Sequence, residues 1–155
     1  MTIYFYKVSQ PYGCFSNFSL HPIEMHNTYW STVEHYYQGQ KFAGSPDEKI
    51  IPLIHAASTP EEAAALGRCS TRRIRCDWET VKTQVMRKAV LKKFLTHRDI
   101  REILLSTEDN LLVEDSPNDY FWGCGANKTG HNHLGNILMS VREELRIVFI
   151  KAIAN

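Results

Sequence analysis

The chain has 155 residues, 43% of them apolar and 23% charged, with a formal net charge of +1. That length suits one domain around a single core, typically roughly 100–150 residues. The composition is too apolar for a disordered chain, and the charge too balanced for a global field that would select nucleic acid or membrane. No apolar run nears the roughly 20 residues of a membrane span, and the opening MTIYFYKVSQ has no basic stretch before an apolar core. A cytoplasmic protein without a membrane partner is expected.

The elements follow in chain order. TIYFYKV is β-branched and aromatic and predicts a strand. PYGCFSNF is turn chemistry, and PIEM, His26-Asn27 and TYW predict a short hairpin. A helical pattern then takes over. Ser31 with Glu34 reads as a capping box opening the first helix. Ser45, Pro46 and Glu48 open a second, which Pro52 breaks or kinks. Thr59, Pro60 and Glu62 open a third, closed by Gly67. Asp77 caps a long fourth helix whose Val81, Val85, Met86 and Ala89 form an apolar stripe. DIREILLS predicts a helix and NLLVED a strand. The chain ends in a long helix from Leu134, with Leu138, Val141, Leu145 and Val148 on one face. The predicted fold is α+β: one helix-rich domain over residues 1–155, with a small sheet from the N-terminal strands and a long C-terminal helix.

Two stretches concentrate chemistry. In STVEHYYQGQKF, helical spacing puts Glu34, Gln38 and Lys41 on one polar stripe beside Val33, Tyr36, Tyr37 and Gln40. Such a stripe can wall a pocket for a flat polar ligand. Equally, Glu34 can complete the capping box and Lys41 can be a solvated lysine. In VEDSPNDYFWGCGANKTGHNHLGNILM, Glu114, Asp115 and Asp119 precede Tyr120, Phe121 and Trp122, and Gly123, Gly125 and Gly130 lead to a helix start. Glycines allow close backbone approach, and free N–H groups at a helix start attract anions. This predicts a phosphate cradle; the plainer alternative is a long turn with Asn132 as helix cap and Trp122 in the core.

Three look-alikes carry less. GANKTG lacks the glycine that a P-loop places before its lysine, here Lys128. His131 and His133 lack a third ligand, and Cys14, Cys69, Cys76 and Cys124 are too dispersed for a zinc site or a disulfide framework. No metal and no cofactor is expected. The basic run RKAVLKKF reads as the solvated face of its helix.

FSNF, STVEHYYQGQKF, LGR, DWETVKTQVMRKAVLKKF, LVEDSPNDYFWGCG and GHNHLGNILMSVREELR occur in the order and spacing of the NADAR family, which includes the YbiA-like N-glycosidases. The resemblance covers about residues 4 to 146. It implies a hydrolase that cuts an N-glycosidic bond to a phosphorylated ribose. One branch acts on ribosylamino-uracil or pyrimidinone phosphates of riboflavin synthesis; another removes ADP-ribose from guanine in DNA or RNA. The family's catalytic positions fall on Glu34, Lys41 and Asp119. Its substrate-binding positions fall on Ser16, Asn17 and Phe18, on Gln38, on Glu114, Trp122 and Gly123, and on Gly130 and Asn132. Glu34 and Asp119 form the implied carboxylate pair, with acid and cation-stabilising roles unassigned. Lys41 holds phosphate or Glu34, or attacks an opened ribose as an amine. Trp122 or Phe18 stacks on the base. Partners are therefore a phosphorylated ribosyl small molecule or ADP-ribosylated nucleic acid. A module that binds ADP-ribose without cleaving it, and a purely structural protein, are the competing classes.

Overall fold

Strand β1 (Thr2–Phe5) pairs in parallel with β4 (Leu111–Glu114), in register from Thr2 opposite Leu111 to Phe5 opposite Glu114. The second sheet is the predicted hairpin, β2 (Ile23–Met25) against β3 (Thr28–Trp30). His26 and Asn27 both have positive φ, 52° and 64°, as a two-residue turn matched to strand twist requires. Among the described residues, six α-helices complete an α+β architecture: α1 (Val33–Gln40), α2 (Ile51–Ala56), α3 (Pro60–Gly67), α4 (Trp78–Thr96), α5 (Arg98–Ser106) and α6 (His133–Ala154). The N-terminal strands thus do not share one sheet. The computed structural model describes residues 1–154, in two units: Met1–Ser16 with the chain from Phe94 onward, and Asn17–Lys93. No helix among the described residues is long and apolar enough to cross a membrane.

In the first unit, α6 packs on β4 and on α5. Leu134, Ile137, Leu138, Val141 and Leu145 are buried with Leu112 and Leu104. Val148, expected on the same face, is half exposed, so the core ends before the last turns of α6. Gly135 lets the helix start lie on the strand: a Cβ there would come 2.1 Å from the Leu112 carbonyl oxygen. The buried Arg142 donates from Nη1 to Thr107 Oγ1 at 2.8 Å and to the Asn110 carbonyl at 2.9 Å. It fixes the turn between α5 and β4 by satisfying an acceptor that burial would otherwise leave unpaired.

In the second unit, α1 packs against α2 and α3. Phe42, Ile50, Ile54, Ala57 and Ala63 form its core cluster. Trp30 lies under α1, where a Cβ on Gly39 would meet the indole at 2.8 Å. Two predicted helix starts shift. A 3-10 turn, Glu48–Ile50, precedes α2, so Pro52 falls in the first turn of α2, where no N–H is needed, and breaks nothing. Thr32, not Ser31, caps α1. Thr59 caps α3 as predicted, accepting from the Glu62 N–H at 3.1 Å. In α4, Met86, Ala89 and Val90 are buried while Val81 and Val85 are only partly so. Lys93 is buried as well, so the run RKAVLKKF is not simply a solvated face. Its place four residues after Ala89 and three after Val90 puts it on the apolar stripe.

Candidate active site

The first turn of α1 is locked by two side chains. Thr32 Oγ1 accepts the His35 N–H at 3.1 Å and lies 2.7 Å from His35 Nδ1. His35 Nε2 lies 3.0 Å from the Ala57 carbonyl. A carbonyl only accepts, so Nε2 carries the proton, and the Thr32 hydroxyl donates to Nδ1. His35 is therefore fully occupied as a structural histidine. Because Thr32 is the cap, Glu34 stands one position too early to close a capping box. Its N–H instead donates to the Asn17 carbonyl at 3.2 Å.

Glu34 is 4% exposed. From it runs an ordered chain of polar contacts. Gln38 Nε2 donates to Glu34 Oε1 at 2.7 Å, and Lys41 Nζ donates to Gln38 Oε1 at 3.2 Å and to the Gly67 carbonyl at 2.8 Å. The direction is set by chemistry: an ammonium only donates and an ionised carboxylate only accepts, so the Gln38 amide can face them one way only. The predicted stripe of Glu34, Gln38 and Lys41 is thus a connected relay. Burial pushes the Lys41 amine below the usual lysine range; Glu34 opposes the shift, and Arg68 and Lys82 add to it.

Two residues belong to this cluster that the sequence reading did not place there. Gly67 ends α3 so close to α1 that a Cβ would fall 2.0 Å from Gln38 Oε1. Arg68 follows it, with Nη2 3.9 Å from Glu34 Oε1. Their signal was LGR, a short motif with no chemistry of its own until α3 meets α1. Gly67→Ala is expected to push Gln38 aside, breaking both of its contacts. Misplacement on the 1 Å scale costs about 10²-fold in rate. The expected result is a loss of that order in kcat/KM with the far-ultraviolet circular dichroism unchanged.

Asn17 also joins this group. It is buried, its Nδ2 lies 3.3 Å from Met86 Sδ, and its Oδ1 has no hydrogen-bond partner among the described residues. Phe18 lies in the same unit, and Ser16, buried at the end of the other, donates its N–H to the Gly13 carbonyl at 3.0 Å.

The remaining candidates gather in the first unit, around the loop from Glu114 to α6. Asp119 Oδ1 accepts from the N–H groups of Phe121 at 2.9 Å and Trp122 at 2.7 Å, so one carboxylate oxygen organises the loop. The Asn132 amide grips the backbone on both sides of Val113: Oδ1 accepts the Glu114 N–H and Nδ2 donates to the Leu112 carbonyl, both at 2.9 Å. Gly123 and Gly130 bring backbone against backbone. A Cβ on Gly123 would stand 3.0 Å from the Asp119 and Glu114 carbonyl oxygens, and one on Gly130 2.6 Å from that of Gly123.

The expected phosphate cradle at the start of α6 is not there. The N–H groups of His131, Asn132, His133 and Leu134 are donated to the carbonyls of Tyr120, Gly123, Phe121 and Trp122. The loop folds back over the helix start and takes up the donors an anion would need. Nor does Asn132 cap α6 through its side chain. Trp122 is half-buried, edge-on to Phe121 with centroids 4.8 Å apart. Among the described residues, no three His, Cys, Asp or Glu side chains are grouped to hold a metal ion.

Relatives carry the same frame. The N-glycosidase Npun_R5314 of Nostoc punctiforme is 77% identical over 94% of this chain and 94% of its own. The N-glycosidase YbiA of Escherichia coli is 46% identical over 94% of this chain and 89% of its own. The NMR structure of that protein superposes with a TM-score of 0.87 at 45% identity, covering 96% of this chain and 87% of the other. The chloroplastic riboflavin biosynthesis protein PYRR of Zea mays is 44% identical over 92% of this chain but only 25% of its own length. Residues 4–146 match the NADAR domain, the span in which the Glu34 relay and the Asp119 loop both lie. With that match, and with relatives of nearly equal length, the chain belongs to the NADAR domain family.

Proposed function

We propose that the bond cut by this N-glycosidase is the C1′–N bond of a phosphorylated ribosylamine, with a ribosylamino-uracil or pyrimidinone phosphate as substrate. The observation that carries the reading is the buried relay Glu34–Gln38–Lys41, in which an amine depressed by burial stands one amide away from a carboxylate. The relative named for riboflavin biosynthesis favours the aminopyrimidine as leaving group.

Cutting such a bond builds positive charge on the sugar at C1′. Glu34, held at α1 and screened from water, supplies the compensating negative charge. Lys41 supplies the nucleophile when the ribose ring opens. Opening breaks the C1′–O4′ bond and leaves C1′ doubly bonded to the base nitrogen; the Nζ lone pair adds to C1′, the C1′–N bond to the base breaks, and the electron pair leaves with the base nitrogen, which takes up the protons that Nζ gives up on becoming an imine. Water then adds to the resulting imine, the C1′–Nζ bond breaks, and free ribose phosphate and amine are restored. Gln38 fixes the distance between the two groups. Asn17 and Phe18, in the same unit as Glu34, are proposed to contact the substrate.

The test is a parallel assay on ribosylamino-uracil phosphate and on DNA carrying ADP-ribosylated guanine. Release of ribose 5-phosphate from the first, at a kcat/KM above that for the second, is the expected result. Turnover of the ADP-ribosylated DNA alone would replace the substrate class, and binding of ADP-ribose without turnover of either compound would make the chain a recognition module.

A further inference from the structure

Arg68 has a position that its ion pair does not explain. Its side chain is 64% exposed, yet it points a guanidinium nitrogen to within 3.9 Å of a carboxylate that is itself 5% exposed. That separation is too long for a hydrogen bond, and the oxygen concerned already accepts from Gln38 at 2.7 Å. The backbone beneath it is held at two points. The Arg68 N–H donates to the Ala64 carbonyl at 2.9 Å, and the Gly67 carbonyl receives Lys41 Nζ.

The neighbouring arginines are spent. Arg72 Nη1 donates to the Leu66 carbonyl at 2.9 Å, Arg73 pairs with Asp47, and Arg75 pairs with Asp77. Arg68 alone among the four lacks a close partner in these contacts. Charge around it is also unbalanced. Arg68 and Lys82 both lie near enough to Lys41 to disfavour its ammonium, and Lys82 is matched by Glu79 at 2.7 Å. Glu34 thus faces two basic groups, Lys41 and Arg68, and of these only Arg68 is largely exposed.

We propose that Arg68 is the anion handle of this site, clamping the phosphoryl group on C5′ of the substrate ribose and so selecting phosphorylated ribosides. The assignment rests on the reading of the Glu34 cluster as the place of N-glycoside cleavage. The guanidinium suits the task because two parallel N–H groups match two phosphate oxygens, a geometry that a lysine does not offer. Its exposure lets it swing from Glu34 onto an arriving ligand, and its fixed backbone keeps that motion short.

The experiment compares wild type, Arg68→Gln and Arg68→Lys on three ribosides: the 5′-monophosphate, the ADP-ribosyl counterpart and the unphosphorylated compound. Arg68→Gln is expected to lower kcat/KM for the monophosphate by about 10- to 100-fold, the span of one or two charge-assisted bonds, mostly through KM. The unphosphorylated riboside should lose much less than the monophosphate, and Arg68→Lys should fall between. A loss on the ADP-ribosyl compound as well would mean that the handle also accepts a diphosphate. Calorimetry with ribose 5-phosphate and with ribose reads the same contact without chemistry. Tighter binding of the phosphate ester by wild type, abolished in Arg68→Gln, is expected even if none of the three ribosides is cleaved. In that event the reaction assignment fails while the handle stands. Equal losses on phosphorylated and unphosphorylated ribosides would show that Arg68 acts through Glu34, and no preference of wild type for ribose 5-phosphate over ribose would overturn the proposal.

Discussion

Replacing Glu34 by Gln is expected to reduce turnover by about 10²- to 10⁴-fold, the range spanned by a positioned acid–base group. The fold should survive. Gln has the same shape, and its own carbonyl oxygen still accepts from Gln38 Nε2, the 2.7 Å contact of the native side chain. The cap of α1 is Thr32 and is untouched. What disappears is a negative charge in the first turn of a helix, which is favourable there by about 0.3–1 kcal/mol. A cost of that size moves the midpoint of thermal unfolding by no more than about 4 °C in a chain this long. Large loss of rate with small loss of stability therefore separates chemistry from architecture. A second readout is built in. Glu34 is the neighbour that favours the Lys41 ammonium, so removing its charge should let Lys41 titrate at still lower pH. The pH dependence of reductive methylation at Lys41 in the two proteins measures this. Unchanged turnover together with an unchanged Lys41 titration would reduce Glu34 to an acceptor for Gln38.

Borohydride added during turnover is expected to leave a ribosyl adduct on Lys41, located by peptide mass spectrometry. Only an amine that forms an imine with C1′ can be trapped in this way. Lys41→Arg should lose about 10³-fold or more in rate and give no adduct, since a guanidinium stays protonated and cannot form the imine. The pH dependence follows from burial. Lys41 titrates below its ordinary value of 10.5, so its neutral form, and the yield of adduct, should rise with pH and level off before that value is reached. For stability the sign is the same. Folding disfavours the charged amine, so the chain is penalised while Lys41 is protonated, and the penalty fades as pH climbs from its folded pKa toward 10.5. A Lys41→Arg variant that keeps most of its activity, with no adduct in wild type, would leave water as the nucleophile and Lys41 as an ion-pair partner.

Much of the local architecture was legible along the chain because it depends on neighbours in sequence. The His26-Asn27 turn, the Thr59 cap, the long helices and the alignment of Glu34, Gln38 and Lys41 all follow from spacing within a few residues. The assignments that failed needed information from farther away or turned on a single residue of register. Ser31 and Thr32 are both competent caps, and the choice between them depends on His35 reaching the Ala57 carbonyl. β1 finds its partner at Leu111–Glu114, more than a hundred residues later, and parallel pairing leaves no turn signal to announce it.

The glycine-rich loop shows the difference most directly. Glycines before a helix read as an open anion cradle, but the donors are filled by the loop's own carbonyls, because Gly123 and Gly130 let the backbone fold back upon itself. The sequence by itself determined which residue types could do the chemistry and that three of them share one helical stripe. Only the tertiary structure decided that the end of α3 closes on that stripe. There a missing Cβ at Gly67 makes room for Gln38, the Gly67 carbonyl receives Lys41, and Arg68 is brought to Glu34. Those contacts cross 26 to 34 residues of chain, and no local pattern encodes a distance that packing alone sets.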